Sequence, residues 1–292
     1  MKTRTIGDGA RQVTVGEIGL GLMTFDQAGA PPREQLAATI KAALDVGVTL
    51  FDTADAYGPR ALGPATQGEN ETLIASLLDE LGVRNRVFLA TKGGCLRTDE
   101  GGWRQDSSPE HLHAAVDNSL RRLGVDQIEL WQHHRPDPAR DYNETIGILN
   151  DIAATGKVAR IGLSNVNPEQ IRAAHAVLGE ALVSVQNQFG PRFRTSKPEI
   201  DVCDELGIAF LAWRPVGGLD TAKNLASDNE VFAQVARRRG VSVYQVAVAW
   251  SLAQAPVMIP LVGAKRPESI TDSTGASDLE LTAEELALLD AS

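Results

Sequence analysis

Eight short apolar runs, each followed by a stretch of helical periodicity, set the strongest limit on what this chain can fold into. They are IGLGLM (18–23), TLFDT (49–53), VFLAT (87–91), IELWQHH (128–134), RIGLS (160–164), VSVQNQ (183–188), AFLAW (209–213) and VMIPLVG (257–263). Rich in Val, Ile, Leu and aromatic residues and mostly without apolar–polar alternation, they read as strands buried on both faces. Between them, PPREQLAATIKAALDVG, ENETLIASLLDELG and SPEHLHAAVDNSLRRLG each gather their apolar residues on one helical face and end at glycine. In the third, Ser108 is the expected N-cap, Pro109 the first helical residue and Gly124 the terminator. NPEQIRAAHAVLG opens the same way, and further helices are expected over 145–156, 197–206 and 229–253, the last broken near Gly240.

Eight strand–helix units predict a parallel sheet closed into a (β/α)8 TIM barrel. No linker rich in Pro, Gly or Ser interrupts the pattern, so one domain over residues 1–292 is expected. RQVTVGEIG (11–19) is expected to form a short N-terminal hairpin closing the barrel's bottom. An open doubly wound sheet is the alternative. GLGLMT (19–24) resembles its dinucleotide turn, but the third glycine is missing and a polar loop follows instead of a helix, so that reading is rejected.

Hydrophobic residues make up 43% of the 292, enough for a sizeable core. The formal charge of −10 argues against nucleic acid or an anionic membrane as partner. It leaves room for a phosphorylated ligand bound by a local basic patch. MKTRTIGDGARQV holds no apolar segment of signal-peptide length, and no run approaches the ~20 apolar residues of a membrane helix. Cys95 and Cys203 read as two reduced thiols. A cytoplasmic protein is expected, with the oligomeric state left open.

In barrels of this type the C-terminal strand ends converge on the mouth where chemistry is done. Here those ends are polar. The second strand ends at Asp52, with Tyr57 just beyond; the third ends at Lys92, the fourth at His134 and the fifth at Ser164 and Asn165. Gln186, Trp213 and the Gly263–Ala264–Lys265 segment follow on the last three. Because strand residues alternate, only one of His133 and His134 can face the lumen.

FDTADAYG, ATKGG, LWQHHRPDP, IGLSNVNPEQ and IPLVGAKRPE resemble the successive motifs of the aldo-keto reductase superfamily, in order and spacing over almost the whole chain. GENETLIASLL (68–78) is similar to that family's second helix. The resemblance implies reduction of aldehydes or ketones with NAD(P)H, without metal or flavin. It implies Tyr57 as proton donor, Lys92 and Asp52 as the pair that tunes it, and His134, rather than His133, as the residue orienting the carbonyl. A nearby ammonium is expected to lower the phenol's pKa from about 10. By the same resemblance, Ser164, Asn165 and Gln186 would bind the nicotinamide carboxamide and Trp213 would stack on the ring. Asp272 stands where the family has an acid facing adenine.

The turn holding Pro215 and Gly217 could approach a pyrophosphate closely. Lys265 and Arg266, beside a helix opened by Pro267, suit a phosphate and favour NADPH over NADH, though NADH stays possible. Three departures bear on this set: Arg214 replaces a common serine, and Ser269 and Ser273 replace larger polar residues. Substrate choice is assigned to the loops Thr24–Pro32, Pro59–Gln67, Gly93–Ser107 with Trp103, and Arg135–Tyr142. The sequence ends soon after LTAEELALLDAS, which leads to the expectation of an open site for varied carbonyl compounds. Two rival readings are a cofactor-binding regulatory subunit of the same fold and a Schiff-base aldolase acting through Lys92.

Overall fold

The computed structural model describes residues 1–27, 29–218 and 221–292. Of the expected substrate loops, Thr24–Pro32 therefore includes one residue, Ala28, outside the described set. The strands are β1 (Thr3–Ile6), β2 (Val13–Gly16), β3 (Gly19–Gly21), β4 (Leu50–Asp52), β5 (Phe88–Gly93), β6 (Cys95–Arg97), β7 (Trp103–Gln105), β8 (Leu130–His133), β9 (Ile161–Ser164), β10 (Leu182–Gln188), β11 (Ala209–Trp213) and β12 (Met258–Gly263). Eight of them, β3, β4, β5, β8, β9, β10, β11 and β12, close in that order into a barrel, β12 pairing back onto β3. Every pair in the barrel is parallel. The fold is the (β/α)8 barrel that the eight runs predict.

The runs look unalternating because both faces of each strand are apolar. Leu50, Phe88, Ala90, Leu130, Ala209, Leu211, Ile259 and Leu261 belong to an inner cluster. Their neighbours Phe51, Leu89, Trp131, Phe210, Ala212, Met258 and Val262 belong to the larger cluster under the helices. Each fully buried Leu or Phe contributes roughly 1.5–3 kcal/mol relative to an exposed position. One pleat further along, the inner face turns polar: Leu50 gives way to Asp52, Ala90 to Lys92, and Leu130 to Gln132 and then His134.

The hairpin pairs β1 with β2, Thr3 opposite Gly16 and Ile6 opposite Val13. RQVTVGEIG thus supplies only its second strand. Ile6 and Val15 join the inner cluster, which contains the strand starts Leu50, Phe88 and Leu130, so the hairpin plugs the N-terminal end of the barrel.

The helices are α1 (Arg33–Asp45), α2 (Glu69–Leu81), α3 (Pro109–Leu123), α4 (Tyr142–Ala154), α5 (Pro168–Leu178), α6 (Lys197–Leu206), α7 (Leu225–Asp228), α8 (Glu230–Arg239), α9 (Val243–Leu252), α10 (Pro267–Thr274) and α11 (Ala283–Asp290). Ser108 caps α3 by accepting from the His111 amide, and Gly124 ends it at φ 67°. The expected break near Gly240 separates α8 from α9, with Gly240 at φ 67°. Among the described residues, no helix is long and apolar enough to cross a membrane.

Elements absent from the sequence expectation include α7, α11 and a second hairpin. Inside the expected loop Gly93–Ser107, β6 and β7 form an antiparallel hairpin, Arg97 opposite Trp103. Its turn is closed by Thr98, whose amide donates to the Gly102 carbonyl (3.2 Å) and whose Oγ1 accepts from the Gly102 amide (3.1 Å).

Candidate active site

Lys92 lies beneath the barrel mouth, 1% exposed, and all three of its N–H donors are engaged. They reach Asp52 Oδ2 at 2.7 Å, the Thr53 carbonyl at 2.8 Å and Tyr57 Oη at 3.1 Å. Asp52 is pinned from its other side. Its Oδ1 accepts from Gln132 Nε2 at 3.0 Å and from Gln186 Nε2 at 2.9 Å, while Gln186 Nε2 also reaches Gln132 Oε1 at 3.2 Å. A carboxylate only accepts, so both amides must present nitrogen to it, and the bond between the two glutamines then follows. Gly162 makes room for this network, since a Cβ there would lie 2.7 Å from Gln132 Cγ and 2.5 Å from Ser184 Oγ.

Burial works to strip the proton from Lys92, but the charges of Asp52 and Tyr57 outweigh it, and the pKa is raised. For Tyr57 the balance runs opposite to the sequence expectation. Burial raises its pKa, and the Lys92 ammonium only partly offsets that, so the phenol lies above its ordinary value rather than below it. A low-dielectric site disfavours the phenolate more than one shared ammonium favours it. Both groups therefore hold their protons near neutrality.

His134 is buried, its ring edge-to-face with Tyr57, centroids 5.9 Å apart. Burial first, then the charges of Lys92, Arg135, His133 and Arg97, lower its pKa well below the ordinary value, which keeps the imidazole neutral. His133 turns the other way, its Nε2 2.9 Å from Ser107 Oγ.

Above these residues opens a cleft of about 830 Å³. Asp52, Tyr57 and His134 line its floor, with Trp103 to one side. Ser164, Asn165, Gln186 and Trp213 line it further along, and Arg214, Pro215, Gly217, Gly263, Lys265, Arg266 and Ser269 complete it. Two of the candidates stay outside. Lys92 lies under the floor. Asp272, expected beside adenine, instead accepts from Ser242 Oγ at 2.6 Å and Gln245 Nε2 at 2.8 Å, and does not line the cleft. Its carboxylate is occupied in joining α10 to the start of α9.

Ser164 Oγ donates to the Gln186 carbonyl at 2.7 Å and accepts from Asn165 Nδ2 at 2.9 Å; Asn165 Nδ2 also reaches the His134 carbonyl at 3.0 Å. Asn165 and Arg214 are the non-glycine residues at positive φ among the described residues, 59° and 58°, and both line the cleft. For an arginine this region is strained, and such strain gathers at sites where function fixes the backbone. The dimensions and donors fit an extended phosphorylated dinucleotide. An indole lies along the cleft, its Nε1 buried and without a hydrogen-bond partner among the described residues, and four basic side chains, Arg135, Arg214, Lys265 and Arg266, line it in a chain of net charge −10.

Sequence reasoning missed Gln132 and Arg97. A signal existed for Gln132, a polar residue on the same strand face as Leu130 and His134. Nothing in the sequence marked Arg97, because the carbonyls it bonds, those of Ala56 and Gly58, belong to another loop.

Residues 17–292 match the Aldo/keto reductase family. The chain is 34% identical over 273 residues to the 6-dehydroglucose reductase of Novosphingobium aromaticivorans, covering 90% of this chain and 87% of that protein. It is 31% identical over 292 residues to an uncharacterised oxidoreductase of Schizosaccharomyces pombe, with 99% and 89% covered. Among solved structures, the glycerol dehydrogenase of Gluconobacter oxydans superposes with TM-score 0.82 at 26% identity, covering 99% of this chain and 94% of that one. A thermostable aldo-keto reductase, solved with the inhibitor epalrestat, shares the fold at TM-score 0.77 and 24% identity, with 100% and 99% covered. A barrel whose polar mouth is assembled from these strand ends, matched along nearly its whole length, belongs to the aldo/keto reductase family and to its oxidoreductases.

Proposed function

We propose that this chain, as a single barrel domain over residues 1–292, reduces aldehydes or ketones to alcohols with NADPH in preference to NADH. The observation that carries the reading is the Asp52–Lys92–Tyr57 relay at the floor of the cleft, 2.7 and 3.1 Å per link, with neutral His134 facing the phenol. When bound, the reduced nicotinamide supplies the hydride that the carbonyl carbon accepts. Tyr57 Oη gives its proton to the carbonyl oxygen, and Lys92 stabilises the phenolate left behind. Asp52 holds Lys92 charged and aimed. His134 Nδ1 is buried without a partner among the described residues, and an orphan lone pair costs less there than an orphan N–H. That favours the tautomer with hydrogen on Nε2, a donor for the carbonyl oxygen as negative charge develops.

Ser164, Asn165 and Gln186 would hold the carboxamide and Trp213 the ring, while Arg214, Pro215, Gly217 and Gly263 would border the pyrophosphate. Lys265 and Arg266 would take the 2′-phosphate. Asp272, tied to Ser242 and Gln245, is not carried forward. The Schiff-base reading loses ground on the same geometry, because a fully hydrogen-bonded ammonium offers no lone pair for imine formation. The similarity to a 6-dehydroglucose reductase supports polyhydroxylated carbonyl compounds as one substrate class.

The test is consumption of nicotinamide absorbance with NADPH or NADH against aromatic, aliphatic and sugar-derived carbonyls. Tyr57→Phe should keep cofactor binding and lose turnover by about 100-fold or more. Wild-type rates in Tyr57→Phe would refute the acid assignment. Lys265→Ala/Arg266→Ala should weaken NADPH binding and leave NADH binding alone.

A further inference from the structure

Arg97 is 4% exposed and lies outside the relay, yet three observations tie it to the cleft. Its Nε donates to the Ala56 carbonyl at 3.0 Å and Nη2 to the Gly58 carbonyl at 3.0 Å, so one guanidinium grips the backbone on both sides of Tyr57. Its Cζ lies 3.8 Å above the centre of the Trp103 ring. Trp103 lines the cleft and meets His134 edge-to-face, centroids 5.8 Å apart, while His134 meets Tyr57 in the same manner. The contacts therefore close a circuit: Arg97, the Tyr57 loop, His134, Trp103 and back to Arg97.

The geometry points to Arg97 as a positioning residue that couples the proton donor to the aromatic wall of the substrate pocket. Only a planar, multidentate cation can face a ring and bond two carbonyls at once, which lysine cannot reproduce. The start of the loop is held at Asp55, whose amide donates to the Lys92 carbonyl at 3.0 Å and whose carbonyl accepts from the Gly68 amide at 2.5 Å, and past Asp55 the loop relies on fewer bonds. The Tyr57 amide reaches the Ala54 carbonyl at 3.3 Å, and Gln27 Nε2 reaches the Gly58 carbonyl at 2.9 Å. Among the described residues the Tyr57 phenol has one hydrogen-bond partner, Lys92. Rotation of the loop would thus carry Oη out of line with Lys92 and with any carbonyl beside Trp103. Small misplacements of this kind cost rate disproportionately.

The inference rests on the reading of Tyr57 as proton donor, and the experiment separates the two. Arg97→Met and Arg97→Lys are compared with wild type in kcat and KM for an aromatic and a short aliphatic aldehyde, in NADPH affinity by equilibrium binding, and in hydrogen exchange over residues 54–59. For Arg97→Met, kcat should fall by about tenfold or more with both aldehydes. KM should rise for the aromatic aldehyde alone, NADPH affinity should stay unchanged, and exchange over 54–59 should accelerate. Arg97→Lys should recover part of kcat. A folded Arg97→Met with wild-type kcat and wild-type exchange overturns the inference. So does a loss of NADPH affinity matching the loss of kcat, which would mean general loosening. Should Arg97→Met not fold, Arg97→Lys is judged on the same measurements, and wild-type kcat and exchange in it overturn the inference equally. If the wild type reduces no carbonyl, the Tyr57 reading falls, and exchange over 54–59 still decides whether Arg97 holds the loop.

Discussion

Replacing Lys92 by Met removes the cation of an ion pair whose two members are almost fully buried, 1% and 3% exposed, 2.7 Å apart. With an effective dielectric of about 20, the gross attraction at that distance is roughly 6 kcal/mol. Desolvation takes back several kcal/mol per ion, so the whole pair adds little net stability, whereas leaving one member alone costs about 3–5 kcal/mol. Lys92→Met leaves Asp52 with only its two amide donors. Asp52→Asn keeps an acceptor for those amides but turns an NH2 group toward the ammonium. The double variant removes both members of this pair. Each single variant should lose about 3–5 kcal/mol in urea unfolding at pH 7, and its thermal midpoint should drop by roughly 6–10 °C for a chain of this size. The double variant should lose less than either single variant, so the losses fall short of additivity by at least about 3 kcal/mol. Losses that add to within about 0.5 kcal/mol would refute the argument that the two ions are each other's main support.

Gln132→Leu should lower kcat by about tenfold while leaving NADPH affinity near wild type, because one of the two donors fixing Asp52 is gone; steady-state kinetics with equilibrium binding checks this. Gly190→Ala should do the reverse. Its Cβ would lie 2.8 Å from the Pro215 carbonyl oxygen and 2.9 Å from that of Arg214, so the turn bordering the cleft must shift. Dinucleotide affinity, read by titration, should weaken by about tenfold while the aldehyde KM holds. His133 is buried with its pKa lowered from 6.5 to about 4, so the unfolded chain binds the proton first. Its contribution is present above pH 6.5 and is lost as pH falls toward 4, about 3 kcal/mol in all. His133→Gln should flatten that part of the stability–pH curve and leave the slope due to His134.

The barrel was legible because strands buried on both faces leave a trace that needs no partner to interpret: apolar runs of five to seven residues, each followed by helical periodicity. The candidate site was legible for a related reason. A lumen that is apolar at Leu50, Ala90 and Leu130 and polar at Asp52, Lys92 and His134 announces its open end. What stayed hidden depends on contacts between distant segments. The sign of the Tyr57 shift is set by how completely the chain covers the phenol, and no spacing encodes that. Asp272 was assigned from the motif, but its carboxylate is claimed by Ser242 and Gln245, 30 and 27 residues away in sequence. The hairpin of β6 and β7 has three-residue strands, too short for any periodicity to register.

The plug formed by Ile6 and Val15 has a consequence for proton traffic. Hydrocarbon from Ile6 and Val15 covers the lower end of the cylinder, which disfavours a wire of water reaching the ammonium from below. Under the proposed chemistry, replenishment of the phenol after each turnover comes down the same passage that admits the aldehyde and releases the alcohol. Arrival of a new reactant and recharging of the acid then become successive events, and a solvent isotope effect on the step after product departure is their expected signature.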